Sequence, residues 1–189
     1  MSFLGRSGEL KVLQEAWSAG RSGFIPIYGR RRVGKSELIV HFMTGKQGCY
    51  FVGKRASGEA QLQEFLEAAA SALGDSLLAQ ARVANWKSAL ELVTQRLPAK
   101  GKFILALDEF QWIAEANSEL PSVIQELWDR QWSRSGRILL ILCGSDIGFM
   151  ERELLGQRSP LFGRRTAQIL LRPFNHLEAA RFHPRFSTV

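Results

Sequence analysis

Residues 28–38 read YGRRRVGKSEL, and within them Gly29, Gly34, Lys35 and Ser36 keep the spacing G-x-x-x-x-G-K-S. Those residue types in that order suit the enclosure of a polyphosphate. Glycines let the backbone curl so that successive N–H groups face a β-phosphate, and a helix starting just after them adds its positive end. Lys35 would bridge the β- and γ-phosphates, and the Ser36 hydroxyl would hold Mg²⁺. Arg30, Arg31, Arg32 and Val33 fill the variable positions of the turn and Glu37 follows the hydroxyl. All five are candidate nucleotide-binding residues. A basic nucleic-acid patch and a charged surface turn are the competing readings. Neither explains why the match falls where a strand gives way to a helix.

A second run, ILALDEF, ends in Asp108 and Glu109. Two carboxylates after a continuous apolar stretch lie at the carboxyl end of a buried strand, where open α/β sheets bind ligands. Asp108 would contact Mg²⁺ or one of its waters, and Glu109 would polarise an attacking water. About seventy residues separate Lys35 from Asp108, room for an extra strand and two helices. That insertion suits hydrolysis better than transfer to a small acceptor. A third run, LILCGSDIGFM, places Ser145 after another apolar strand. Ser145 there either touches the γ-phosphate or the lytic water, or shares with Asp146 the capping of a helix. A fourth, SPLFGRRTAQILL, sets Arg164 and Arg165 ahead of a strand. They are either surface residues or a source of transition-state charge stabilisation, in cis or from a neighbouring copy.

The elements that must position these groups follow from apolar periodicity. Helices are expected over residues 7–17, 36–43, 62–73, 86–97 and 120–128, the last with Pro121 in its first turn. Strands are expected over 24–28, 49–53, 102–110, 137–145 and 167–171. The order predicts an α/β fold with a mostly parallel five-stranded sheet and helices on both faces. Pro26 conflicts with a central first strand, because proline lacks a ladder donor. Either that strand pairs only after Pro26, or a bulge absorbs it.

Apolar residues make up 46% and charged residues 23% of the 189, enough for a buried core. No apolar run approaches the roughly 20 residues that span a bilayer, and the first residues lack the apolar segment of a signal peptide. Cys49 and Cys143 lie in apolar strands, consistent with reduced, buried thiols, although a bridge is an open alternative. A cytoplasmic, membrane-free protein is expected. The formal charge of +7 points either to several arginines around one phosphate site or to an anionic partner such as DNA. His41, His176 and His183 show no metal-ligand spacing, and Trp112 reads as local packing.

Taken together, FLGRSGEL, GRRRVGKS, LDEFQW, LCGSDIGFM and SPLFGRRT…LRPF resemble the mainly archaeal ATPase family within the STAND-type P-loop NTPases, relatives of the AAA+ and origin-recognition ATPases. The resemblance implies an ATP/ADP- and Mg²⁺-binding ATPase core acting as a conformational switch. It gives Phe3, Gly5, Arg6 and Glu9 an adenine-side or structural role, and Arg6 is carried forward as nucleotide-binding. It matches Lys35, Glu109, Ser145 and Arg164 to catalytic positions, and Ser36 and Asp108 to the metal. It divides the chain into an arm at 1–22, a core at 23–173 and the start of a lid at 174–189. It also raises self-association through the Arg164/Arg165 face, DNA association as in the origin-recognition relatives, and a nucleotide sensor with negligible turnover.

Overall fold

The computed structural model describes residues 5–174. Phe3 and all but the first residue of the expected lid segment 174–189 lie outside them. Five strands form one sheet: β1 (Gly23–Tyr28), β2 (Gly48–Val52), β3 (Phe103–Asp108), β4 (Ile138–Gly144) and β5 (Ile169–Leu170). Every pairing is parallel, and the order is β2-β3-β4-β1-β5. The strand inserted between the two motif-bearing strands in sequence, β2, lies at an edge. In space β4 separates β1 from β3, so the loop and the carboxylate pair leave the sheet two strand positions apart.

Period-two alternation divides the core between the two faces. Phe24, Leu105, Leu107, Leu140 and Leu142 project to one side. There they pack on α3 (Gly58–Leu73), α5 (Trp86–Gln95), α6 (Phe110–Ala116) and α7 (Leu120–Leu127). Ile25, Ile27, Ile104, Ala106, Leu139 and Ile141 project to the other, against α1 (Ser7–Ser18) and α2 (Lys35–Met43). All residues of β1, β3 and β4 are buried, which explains why these strands read as unbroken apolar runs. Each such Leu or Ile contributes about 1.5–3 kcal/mol on burial.

β1 pairs continuously with β4 across Pro26, without a bulge. The Phe24 N–H donates to Thr166 Oγ1 at 3.0 Å, and the Tyr28 carbonyl accepts the Leu171 N–H at 2.7 Å. Even-numbered residues of β1 therefore direct their backbone groups toward β5, and Pro26 lies between them on that side. β5 pairs only with Ile27 and Tyr28, so the missing N–H falls where no partner strand runs. The proline is tolerated by strand parity, which neither sequence alternative anticipated.

Other boundaries differ. The run read as a strand to residue 110 ends at Asp108, because Glu109 turns the chain with φ +49° and Phe110 opens α6. β5 is two residues long where five were expected. A short α4 (Ser76–Gln80), unseen in the periodicity, is capped by the Asp75 carboxylate. α7 runs on through a wide turn at Trp128–Trp132 into α8 (Ser133–Ser135). After β4 comes α9 (Ile147–Met150). No helix among the described residues is long and apolar enough to cross a membrane.

Candidate nucleotide-binding site

The 29–34 turn joins β1 to α2, as its sequence demands. Gly29 adopts φ +153°, and a Cβ there would lie 2.2 Å from the Leu171 carbonyl oxygen. Only glycine lets the chain leave β1 so close to the segment after β5. Gly34, at φ +90°, precedes the first residue of α2. Lys35 is 5% exposed, and its ammonium donates to the carbonyls of Gly29 and Arg30, both at 3.0 Å. The lysine thus braces the loop from within. Arg32 is a left-handed residue of the same turn (φ +64°).

Asp108 belongs to the even-numbered face of β3, the side covered by α2, and this parity brings the two motifs together. Its carboxylate is 1% exposed. Oδ2 accepts from Ser36 Oγ at 2.5 Å and from Tyr50 Oη at 2.6 Å, while Oδ1 accepts the Glu109 N–H at 2.8 Å. Burial, then the hydrogen bond to Asp108 and its charge, push the Tyr50 phenol pKa up. Burial first and the Asp108 charge second raise the Cys143 thiol, so both cysteines, free and buried, are held as thiols.

Glu109 Oε2 accepts from Ser145 Oγ at 2.8 Å and from the Gln111 amide, which also donates to Ser145 Oγ at 3.2 Å. The ends of β3 and β4 are thereby tied together. Asp146 takes the helix-capping task instead, accepting the Phe149 N–H at 2.9 Å. The two readings of this stretch divide between neighbouring residues: Ser145 faces Glu109, and Asp146 caps α9.

A cavity of about 590 Å³ is lined by Arg31, Arg32, Gly34, Lys35, Ser36, Glu37 and Glu109. A second, of about 410 Å³, shares Arg31 and adds Gln111, Trp112, Ser145, Asp146 and Ile147. The Arg55 guanidinium stacks 4.2 Å over the Trp112 ring. The donor set fits Mg²⁺, a hard ion commonly held by one or two carboxylates together with substrate phosphates and water. Ser36 lines the cavity, and its hydroxyl bonds the buried Asp108 carboxylate behind it. No cluster of three His, Cys, Asp or Glu exists among the described residues, so no all-protein metal cage competes with that arrangement.

Arg6 and Arg164 stand elsewhere. Arg6 is 8% exposed and donates through Nη2 to the carbonyls of Val33 (3.0 Å) and Arg172 (2.8 Å). It pairs with Glu9 at 3.3 Å and lies 3.9 Å from the Phe174 ring centroid. It therefore clamps the outside of the loop. Arg164 makes a bidentate pair with Asp129 at 2.8 and 2.7 Å, which lowers the Asp129 pKa. Neither Arg164 nor Arg165 lines the two cavities. Tyr50 and Gln111 are the site residues that sequence reasoning missed. Tyr50 carries a weak signal, a polar group inside an otherwise apolar strand; Gln111 carries none beyond its nearness to Glu109.

Compared with protein families, residues 3–188 match the model described as an ATPase domain predominantly from Archaea. The chain belongs to that family. Its parallel sheet, with the loop after β1 and the carboxylates at the end of β3, is the core of a P-loop ATPase. An uncharacterized protein of Methanocaldococcus jannaschii, MJECL04, is 27% identical over 183 residues, 97% of this chain and 38% of that protein. The Walker-type ATPase PABY2304 of Pyrococcus abyssi shares the fold at a TM-score of 0.72 and 22% identity, over 97% of this chain and 57% of that one. The Aeropyrum pernix ORC2 protein, solved as ADPNP–ADP complexes, shares it at 0.60 and 19%, over 95% and 51%. The chain thus spans little more than half the length of these relatives at most.

Proposed function

We propose that this ATPase domain binds ATP with Mg²⁺ in the Gly29–Ser36 loop, hydrolyses it to ADP and phosphate, and works as a nucleotide-dependent switch. The supporting observation is the convergence of Lys35, Ser36, Asp108 and Glu109 from two strands separated by a third. Lys35 exchanges its loop carbonyls for phosphate oxygens when nucleotide enters. Ser36 and Asp108 hold the cation, which on binding neutralises charge that develops on the phosphates. Ser145 and Gln111 both engage Oε2 of Glu109, leaving Oε1 to orient a water and take its proton. Catalysis is then positioning plus charge stabilisation. A complex of a relative with ADPNP and ADP supports adenine as the base.

Arg164, held by Asp129, takes no part within its own subunit in this reading. A second copy would have to break that pair to use it, and nothing here favours such an arrangement. Steady-state phosphate release tests the proposal. Glu109→Gln should bind ATP as the wild type does and turn over at least ~10²-fold slower. Equal rates would remove Glu109 from the chemistry.

A further inference from the structure

We propose that Tyr50 is a positioning residue for the cation site, its phenol holding the Asp108 carboxylate in the pose that, with Ser36, receives a divalent ion. The inference rests on the reading of Ser36 and Asp108 as the metal pair. Tyr50 sits on the edge strand β2, in register with Ala106, one pleat before the Val52–Asp108 pair. Strand parity gives Tyr50 and Asp108 the same face, and a diagonal neighbour there is within reach of a long side chain. The phenol spans that diagonal to reach Oδ2 at 2.6 Å.

Ser36 Oγ, Tyr50 Oη and the Glu109 N–H donate to the Asp108 carboxylate, and the buried Cys143 thiol also hydrogen-bonds it. Their tasks differ once a cation binds. Ser36 must present its oxygen to the ion, and the Glu109 amide is committed to Oδ1. Tyr50 donates to Oδ2 and ligates nothing, so it is left, beside the Cys143 thiol, to fix the rotation of the carboxylate. Groups that orient a metal ligand in this way typically govern metal affinity by about 10–100-fold.

Tyr50→Phe removes the hydroxyl and keeps the ring against its neighbours. ADP affinity is measured by calorimetry in EDTA and across a Mg²⁺ series. The wild type should bind ADP more tightly with Mg²⁺. Tyr50→Phe should match the wild type in EDTA and need about tenfold more Mg²⁺ for the half-maximal effect. An unchanged Mg²⁺ midpoint overturns the proposal and leaves the site assignment standing. Equal weakening in EDTA also overturns it, by showing a general packing loss. A wild type indifferent to Mg²⁺ removes the metal pair, and the role of Tyr50 with it. In an Asp108→Asn background, Tyr50→Phe should shift the midpoint no further; an added loss would place its action elsewhere and refute the inference.

Discussion

Arg6 reaches across the molecule to the nucleotide loop, and its removal has a calculable cost. Its Nη2 bonds a buried carbonyl, Val33, and a half-buried one, Arg172, 166 residues away in sequence. A hydrogen bond from a charged donor contributes about 1.5–3 kcal/mol. Taking both bonds at the low end, the Arg172 carbonyl because it can recruit water, Arg6→Ala should cost about 3 kcal/mol in all. For a domain of this size each kcal/mol lowers Tm by about 2–4 °C, which gives a fall of about 6–12 °C. Differential scanning calorimetry of the apo protein measures it. Because Val33 belongs to the loop, ADP affinity should fall as well. Arg6→Lys should recover only part of the loss, since one ammonium cannot reproduce the planar fork. An Arg6→Ala protein melting at the wild-type temperature would refute the clamp. So would a lysine variant that restores it fully.

Gln111→Leu removes the amide that braces Glu109 and Ser145, and should lower kcat about tenfold with KM unchanged, since misplacing a reacting group is costly; a faster enzyme would mean that Gln111 restrains Glu109. Arg164→Ala should leave basal phosphate release intact. Its stability effect should be small, as for exposed ion pairs, and dependent on pH. Arg164 holds Asp129 below its ordinary value of 3.8, so the pair stabilises above that pH and fades as pH falls through the lowered value. The difference in Tm between wild type and variant should close on acidification; a gap independent of pH would assign the effect to packing instead.

Much of this site could be read before any coordinates, for reasons particular to its parts. The loop motif is contiguous, and its glycines are demanded by local geometry. Asp108 ends, and Glu109 follows, a strand buried on both faces, whose unbroken apolar run marks its position inside the sheet. What escaped depends on strand order and parity. Pro26 is harmless because its missing donor points toward β5, a fact that requires knowing which strand neighbours β1 and where it starts. Tyr50 meets Asp108 only because β2 pairs beside β3 in one register. Glu109 follows its strand in a left-handed turn that periodicity does not encode, so Phe110, the first residue of α6, reads as part of the preceding run. The resemblance gives Arg6 an adenine-side or structural role, and its bonds to the Val33 and Arg172 carbonyls, far from it in sequence, are visible only in the fold. Arg164 found Asp129 on the wide turn after α7, a partner no motif announced.

The central claim is that the loop and the two acids form one polyphosphate site, and calorimetric titration of ATP with Mg²⁺ into wild type and Lys35→Ala tests it most directly. The account predicts saturable binding at one site per chain in the wild type, abolished by the substitution while the fold survives. Undiminished affinity without the Lys35 ammonium, or no binding by the wild type, would contradict it.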